Sequence, residues 1–265
     1  MENLWTKLST LSTCLFYAEF FGSYARSHVH YKHCFITILR TNYSLGRNSV
    51  KFSRLFFTFS TIMNKTIPTT ERVFMSLVGP SGCGKTQLIY EMLKHGTFQP
   101  PFEKIYYFFQ FNQPIFSLMI QDIPNIEFIK CVDFELIDNL PSNNPTLLIF
   151  DDSCDEIMKS KSFEKLAIAG RHRKMSVIYI KHNLYHKSSI GRDAELQLTH
   201  IVLFKSARDV QQIARLGQQL GVNLIEWYKD ATKYPYGHLM IDLNPKTNDL
   251  LRYSTDSSVA PTKFY

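Results

Sequence analysis

The segment Gly79-Pro80-Ser81-Gly82-Cys83-Gly84-Lys85-Thr86 has the form G-x-x-x-x-G-K-[ST], and the apolar run from Val73 to Val78 leads directly into it. Few patterns constrain a fold more tightly. Glycine at 79, 82 and 84 lets the backbone turn so that its N–H groups converge on a polyphosphate. Lys85 is then placed to reach the β- and γ-phosphates and Thr86 to hold Mg²⁺, the pattern of a Walker A loop. Gln87 to Lys94 carries Leu88, Ile89 and Met92 at helical spacing, so the loop opens a helix whose N-terminal dipole also favours an anion. Strand, loop and helix follow in the order that such a site requires, and the expected ligands are ATP and Mg²⁺.

The rest of the chain after Glu71 alternates in the same way. Lys104 to Phe111 and Ile126 to Val132 read as strands, with helical spacing from Phe116 to Gln121 between them. Thr146 to Phe150, Ser176 to Ile180 and His200 to Phe204 are short apolar runs of the kind found in strands buried on both faces. Phe163 to Arg173, Val210 to Leu220 and Leu224 to Lys229 are helical in pattern. This alternation predicts an α/β P-loop NTPase core, a mostly parallel sheet with helices on both faces. Gly237 to Asp242 and Leu250 to Ser254, separated by Asn244-Pro245, predict a closing C-terminal β-hairpin.

Charge divides the chain. Residues 1–65 hold eight Lys or Arg against two acids, whereas residues 66–265 hold 22 against 21. The pI near 9.1 therefore belongs mainly to the N-terminal quarter, and overall charge is no argument for nucleic-acid binding by the rest. Residues 1–65 show no sustained period and are expected to be poorly ordered, with 66–265 forming the ATPase domain. A transit peptide or a basic arm would suit that composition. The favoured expectation is upstream sequence wrongly joined to a protein that starts at Met63. Five cysteines (14, 34, 83, 131, 154) form no C-x-x-C pair or zinc spacing and are odd in number, so they support neither a disulfide framework nor a metal site, and a reducing compartment is the default expectation. No apolar stretch approaches the roughly 20 residues of a membrane span.

Leu147-Leu148-Ile149-Phe150-Asp151-Asp152 has the Walker B form, an apolar strand delivering acids to its carboxyl end, where ligands gather in parallel sheets. Asp151 is the expected Mg²⁺ ligand, and Asp152 the group that orients or deprotonates water. The plainer alternative is an Asp pair capping the next helix. Glu156 is a further acid that could share the role. His182 and Asn183 follow the apolar run ending at Ile180, and a polar residue there, Asn183 above all, is placed to sense the γ-phosphate. Arg171, Arg173 and Arg208 are the candidates for the positive charge that phosphoryl transfer needs. Tyr185 to Arg192 combines Lys187 and Arg192 with Ser and Gly and reads as a flexible loop, of which an ordinary solvated loop is the plainer version.

GPSGCGKT, LLIFDDSCDE, AGRHRKMSVIYIKHNLYH and THIVLFKSARDVQQIARLGQQL together resemble the poxvirus-type DNA-packaging ATPases of the FtsK–HerA superfamily, most of all those of Polinton/Maverick virus-like transposons. The likeness covers roughly residues 70 to 255. It implies a RecA-like core, acting as a homo-oligomeric ring that pumps double-stranded DNA into a capsid, with capsid proteins as partners and with Lys187 and Arg192 of the 185–192 loop as the groups that grip DNA phosphates. It also implies an intracellular location, in the nucleus or where virus-like particles assemble. Relatives commonly carry Gln-Asn where this chain has His182-Asn183, and many superfamily members carry Glu where it has Asp152. A kinase would bring an arginine-rich lid, a GTPase an N-K-x-D motif and an ABC ATPase an L-S-G-G-Q motif. None of these is found here, and a non-catalytic ATP-binding module is the other alternative.

Overall fold

The computed structural model describes residues 35–43, 52–60, 66–141, 144–151, 157, 159–185, 189–257 and 260–265. The chain divides into two compact units, Met1–Thr66 and Ile67–Tyr265. In the first, β1 (Phe35–Tyr43) and β2 (Phe52–Ser60) pair antiparallel, with Phe35 opposite Ser60 and Tyr43 opposite Phe52. Both strands are rich in the aromatic and β-branched residues that suit a pleated ribbon.

The second unit is built on one sheet. Its parallel part consists of β4 (Phe74–Val78), β6 (Lys104–Phe109), β7 (Ile126–Lys130), β8 (Thr146–Phe150), β9 (Met175–Lys181) and β10 (His200–Phe204). Three strands complete one edge antiparallel: β11 (His238–Asp242), β12 (Tyr253–Ser257) and β13 (Ala260–Phe264). The order across the sheet is β13-β12-β11-β10-β4-β9-β8-β6-β7. Strand β9 thus separates the Walker A strand β4 from the Walker B strand β8, the order of a RecA-like core. Two-residue strands β3 (Ile67–Pro68) and β5 (Phe98–Gln99) pair separately.

Every residue of β4, β8, β9 and β10 is buried, which is why these strands read as mostly apolar runs; the polar residues they do carry are Ser76, Thr146, Ser176, Lys181 and His200. Side chains alternate between the two faces. Met75, Leu77, Leu147 and Ile149 pack with Ile89 and Met92 of the helix Lys85–Lys94 and with Phe116 and Met119 of the helix Ile115–Asp122. Phe74, Val78, Leu148 and Phe150 pack on the other side. Their partners are Phe163 and Leu166 of the helix Lys161–Ala169, Ile213 and Leu216 of the helix Val210–Leu220, and Tyr228 of the helix Leu224–Ala231. Each such buried side chain contributes about 1.5–3 kcal/mol.

The parallel sheet, the helices on both faces and the C-terminal hairpin are as expected; Met240 lies opposite Ser254 and Ile241 opposite Tyr253. One helix is shorter than its pattern: it runs Lys161–Ala169 and tightens into the 3-10 turn Gly170–Arg173. Arg72 ends it, donating to the carbonyls of Leu166 and Ala167. Phe134–Asn139 is a further short helix, capped by Asp133, whose Oδ1 accepts from Leu136 N at 3.0 Å. Among the described residues no helix is long and apolar enough to cross a membrane.

Candidate nucleotide site

Strand β4 ends at Val78, and the chain turns through Gly79–Gly84 before its helix begins at Lys85. Gly82 (φ 75°) and Gly84 (φ 99°) occupy the left-handed region that only glycine adopts freely. Gly79 is needed for a different reason. A Cβ there would lie 2.7 Å from Phe204 Cβ and 2.8 Å from Cys83 Sγ. The Gly79 N–H donates to the Lys181 carbonyl at 3.2 Å, which ties the loop to the tip of β9. Lys85 is 7% exposed and folds back over its own loop, donating to the Gly79 and Pro80 carbonyls at 2.8 and 2.7 Å. The ammonium is therefore already held over the turn whose N–H groups suit phosphate. Burial pushes the Cys83 thiol up from its ordinary pKa, although the Lys85 charge opposes the shift.

Asp151 follows β8 directly and is 2% exposed. Its Oδ2 accepts from Tyr107 OH at 2.7 Å, Gln113 Nε2 at 3.0 Å and Thr86 Oγ1 at 3.4 Å. The two residues expected to hold Mg²⁺, Thr86 and Asp151, thus meet across 65 residues of sequence. A carboxylate beside a threonine hydroxyl is the hard-oxygen donor set that Mg²⁺ prefers, so the residues present fit the ion. Tyr107 and Gln113 are the site residues that sequence reasoning missed. An aromatic in a strand and a glutamine in a loop carry no local signal of such a role.

His182 and Asn183 are exposed immediately beyond β9, beside the Walker A loop because β9 pairs with β4 (Val78 opposite Lys181). Arg173 is placed otherwise: its Nη2 donates to the carbonyls of Ile137, Asp138 and Leu140 at 2.9–3.0 Å, closing the end of the helix Phe134–Asn139. Arg208 is exposed in the turn after β10. Its neighbour Asp209 instead accepts from Ser206 Oγ at 2.5 Å and Gln212 Nε2 at 3.2 Å. Asp152, Glu156 and Lys187 lie outside the described residues, as does the side chain of Arg171.

The expected gripping loop needs correction, since Ser189–Glu195 is helical. Tertiary contacts overrule its serine and glycine. The helix packs on Lys161–Ala169, buries Ala194, and pairs Glu195 with Lys181 at the end of β9. Arg192 is exposed on this helix.

The Poxvirus A32 protein family matches residues 64–223, which include the Walker A loop, Asp151, Asn183 and Arg208. The chain belongs to that family. No curated protein matches it. Among solved structures, it is similar to B204, the DNA-packaging ATPase from Sulfolobus turreted icosahedral virus, at 14% identity and TM-score 0.48, over 74% of this chain and 98% of that one. The genome packaging NTPase B204 from Sulfolobus turreted icosahedral virus 2, in complex with ATP-gammaS, matches at 18% identity and TM-score 0.47, over 70% and 97%. The cytoplasmic domain of the Thermomonospora curvata type VII secretion ATPase EccC matches at 12% identity and TM-score 0.43, over 72% of this chain and 26% of that one.

Proposed function

We propose that this chain is a Mg²⁺-dependent ATPase that works as a homo-oligomeric ring and drives double-stranded DNA into a virus-like capsid, in the manner suggested by its likeness to transposon-encoded packaging ATPases. The observation that carries the hydrolytic reading is the meeting of Thr86 and Asp151 beside Lys85, with Tyr107 and Gln113 fixing the carboxylate. Membership of the A32 family supports the packaging role.

Lys85 leaves its two loop carbonyls to bind the β- and γ-phosphates. Thr86 and Asp151 would hold Mg²⁺, which when bound would neutralise charge on the phosphate oxygens. Asp152 takes the proton of the attacking water as its oxygen bonds to the γ-phosphorus and the bond to the leaving ADP oxygen breaks. Asn183 orients the γ-phosphoryl group from the tip of β9. Arg208, exposed and not engaged by Asp209, supplies the positive charge to the site of a neighbouring subunit. Lys187 and Arg192 contact DNA phosphates without reading bases. Lys181 connects the two events: its carbonyl holds Gly79, and its ammonium holds the helix that bears Arg192.

Steady-state hydrolysis by the full chain, with and without duplex DNA, tests this. Turnover should require Mg²⁺, rise with duplex DNA of any sequence, and vanish in Lys85→Ala. ATP binding without turnover would reduce the protein to a binding module. Phosphate transfer to a small acceptor would make it a kinase.

A further inference from the structure

A cavity of about 420 Å³ opens beside the Walker A loop, lined by Gly82, Cys83, Lys205, Lys233, Tyr234 and Tyr236 among others. Most of it comes from outside the region that matches the A32 family, which ends at residue 223. Sheet topology assembles it. Strand β11 runs antiparallel to β10 with His238 opposite Phe204, so the turn entering β11 meets the turn leaving β10 at the Walker A loop. Tyr228 pins one wall, donating to the Phe204 carbonyl at 3.0 Å and accepting from Ser206 N at 2.7 Å. The opposite wall, Lys233-Tyr234-Pro235-Tyr236-Gly237, is closed by the Gly237 N–H on the Tyr234 carbonyl at 3.1 Å. Gly237 permits that turn, because a Cβ there would lie 2.5 Å from the Ala231 carbonyl oxygen.

The lining has a definite chemistry. Tyr234 and Tyr236 are 70% and 71% exposed, large aromatic surfaces left in solvent at the mouth of a cavity. Lys205 and Lys233 are exposed beside them. An aromatic face takes a flat heterocycle, and an ammonium takes an anion. A ligand with both features, seated against a phosphate-binding loop, is a nucleotide, and a cavity of this volume lies in the range used for such ligands. The two tyrosines are not equivalent. Lys233 Nζ lies 5.6 Å from the centre of the Tyr234 ring, whereas Tyr236 packs its ring edge on Gly84, where an added Cβ would be 3.0 Å from Tyr236 Cδ1. Tyr236 also holds φ at 62°, a left-handed conformation that a bulky residue rarely adopts.

We propose that this cavity is the base-and-ribose subsite of the nucleotide, with Tyr236 stacking on the base and Lys205 and Lys233 attending the ribose and phosphates. It deepens the nucleotide reading of the Walker A loop and rests on it. Calorimetric titration of the full chain with ATP and with inorganic tripolyphosphate, both with Mg²⁺, separates the two ideas. The wild type should bind ATP more tightly than tripolyphosphate. Tyr236→Asn, which tolerates the left-handed backbone, should weaken ATP binding about tenfold, the size of one stacking contact, and leave tripolyphosphate unchanged. Tyr236→Phe should bind both ligands as the wild type does. Equal wild-type affinities, unaltered ATP binding by Tyr236→Asn, or equal loss of both ligands would overturn the subsite alone. Wild-type protein that binds neither ligand would overturn the nucleotide reading and the subsite with it.

Discussion

Lys181 and Glu195 form an ion pair whose side chains are only 5% and 13% exposed, and Lys181 Nζ also donates to the Leu184 carbonyl at 2.6 Å. Replacing Glu195 by Leu would leave a buried ammonium with one carbonyl partner. Removing one member of a buried pair costs about 3–5 kcal/mol. In a unit the size of Ile67–Tyr265, each kcal/mol lowers Tm by about 2–4 °C, so Glu195→Leu should melt about 6–20 °C below wild type. Lys181→Met should cost a similar amount by stranding the carboxylate. The double variant strands neither charge and should fall within about 2 kcal/mol of wild type, because well-packed apolar replacements of buried pairs are close to neutral. Scanning calorimetry and urea titration of the four proteins give the cycle. A single variant within about 2 °C of wild type, or a double variant that loses the sum of the singles, would refute the argument that burial makes these two charges interdependent.

Arg72 donates to Met175, Leu166 and Ala167 carbonyls and lies 4.6 Å from the centre of the Phe74 ring, so Arg72→Ala should cost about 2–3 kcal/mol in urea unfolding. Arg72→Lys should recover less than half, since one ammonium cannot reproduce the guanidinium fork. Arg208→Ala should lower ATP turnover on the order of 10³-fold if its charge completes a neighbouring site. Arg173→Ala should lose about 1–2 kcal/mol of stability through its three carbonyl contacts and keep turnover within about threefold; parallel ATPase and melting assays distinguish the two. Burial raises the Cys83 pKa, so the folded state holds the thiol proton more tightly than the unfolded chain. That contribution to stability is present below the unfolded pKa and is lost as pH rises above it. Iodoacetamide labelling read by mass spectrometry should accordingly show Cys83 slow at pH 7, accelerating only in the alkaline range, and protected by ATP. Fast labelling at neutral pH would contradict the burial argument.

The strands buried on both faces were legible to the residue: in Thr146–Phe150 and His200–Phe204 every residue after the first is apolar, because both faces of each strand are covered. The helix Val210–Leu220 was equally clear, since its apolar stripe ends at Gly221, which takes the left-handed conformation that stops a helix. Ser189–Glu195 was not. Its serines and glycine argue for a loop, and what holds it helical is Glu195 reaching Lys181 and Ala194 reaching the core, partners that no local pattern names.

The site divides along the same line. Lys85, Thr86 and Asp151 must touch phosphate or metal, and that chemistry forces their identity and spacing, so they are visible as motifs. Tyr107 and Gln113 need only arrive at Asp151, and they do so because β6 lies beside β8 with Tyr107 opposite Ile149. Tyr236 reaches Gly84 only because β11 follows β10 at the edge beyond β4. Motifs mark the groups that make contact with the ligand through a fixed local geometry, whereas sheet order decides which distant side chains steady or extend them. Substitutions at Gln113 or Tyr236 should therefore alter nucleotide affinity while leaving the fold's melting behaviour near that of wild type.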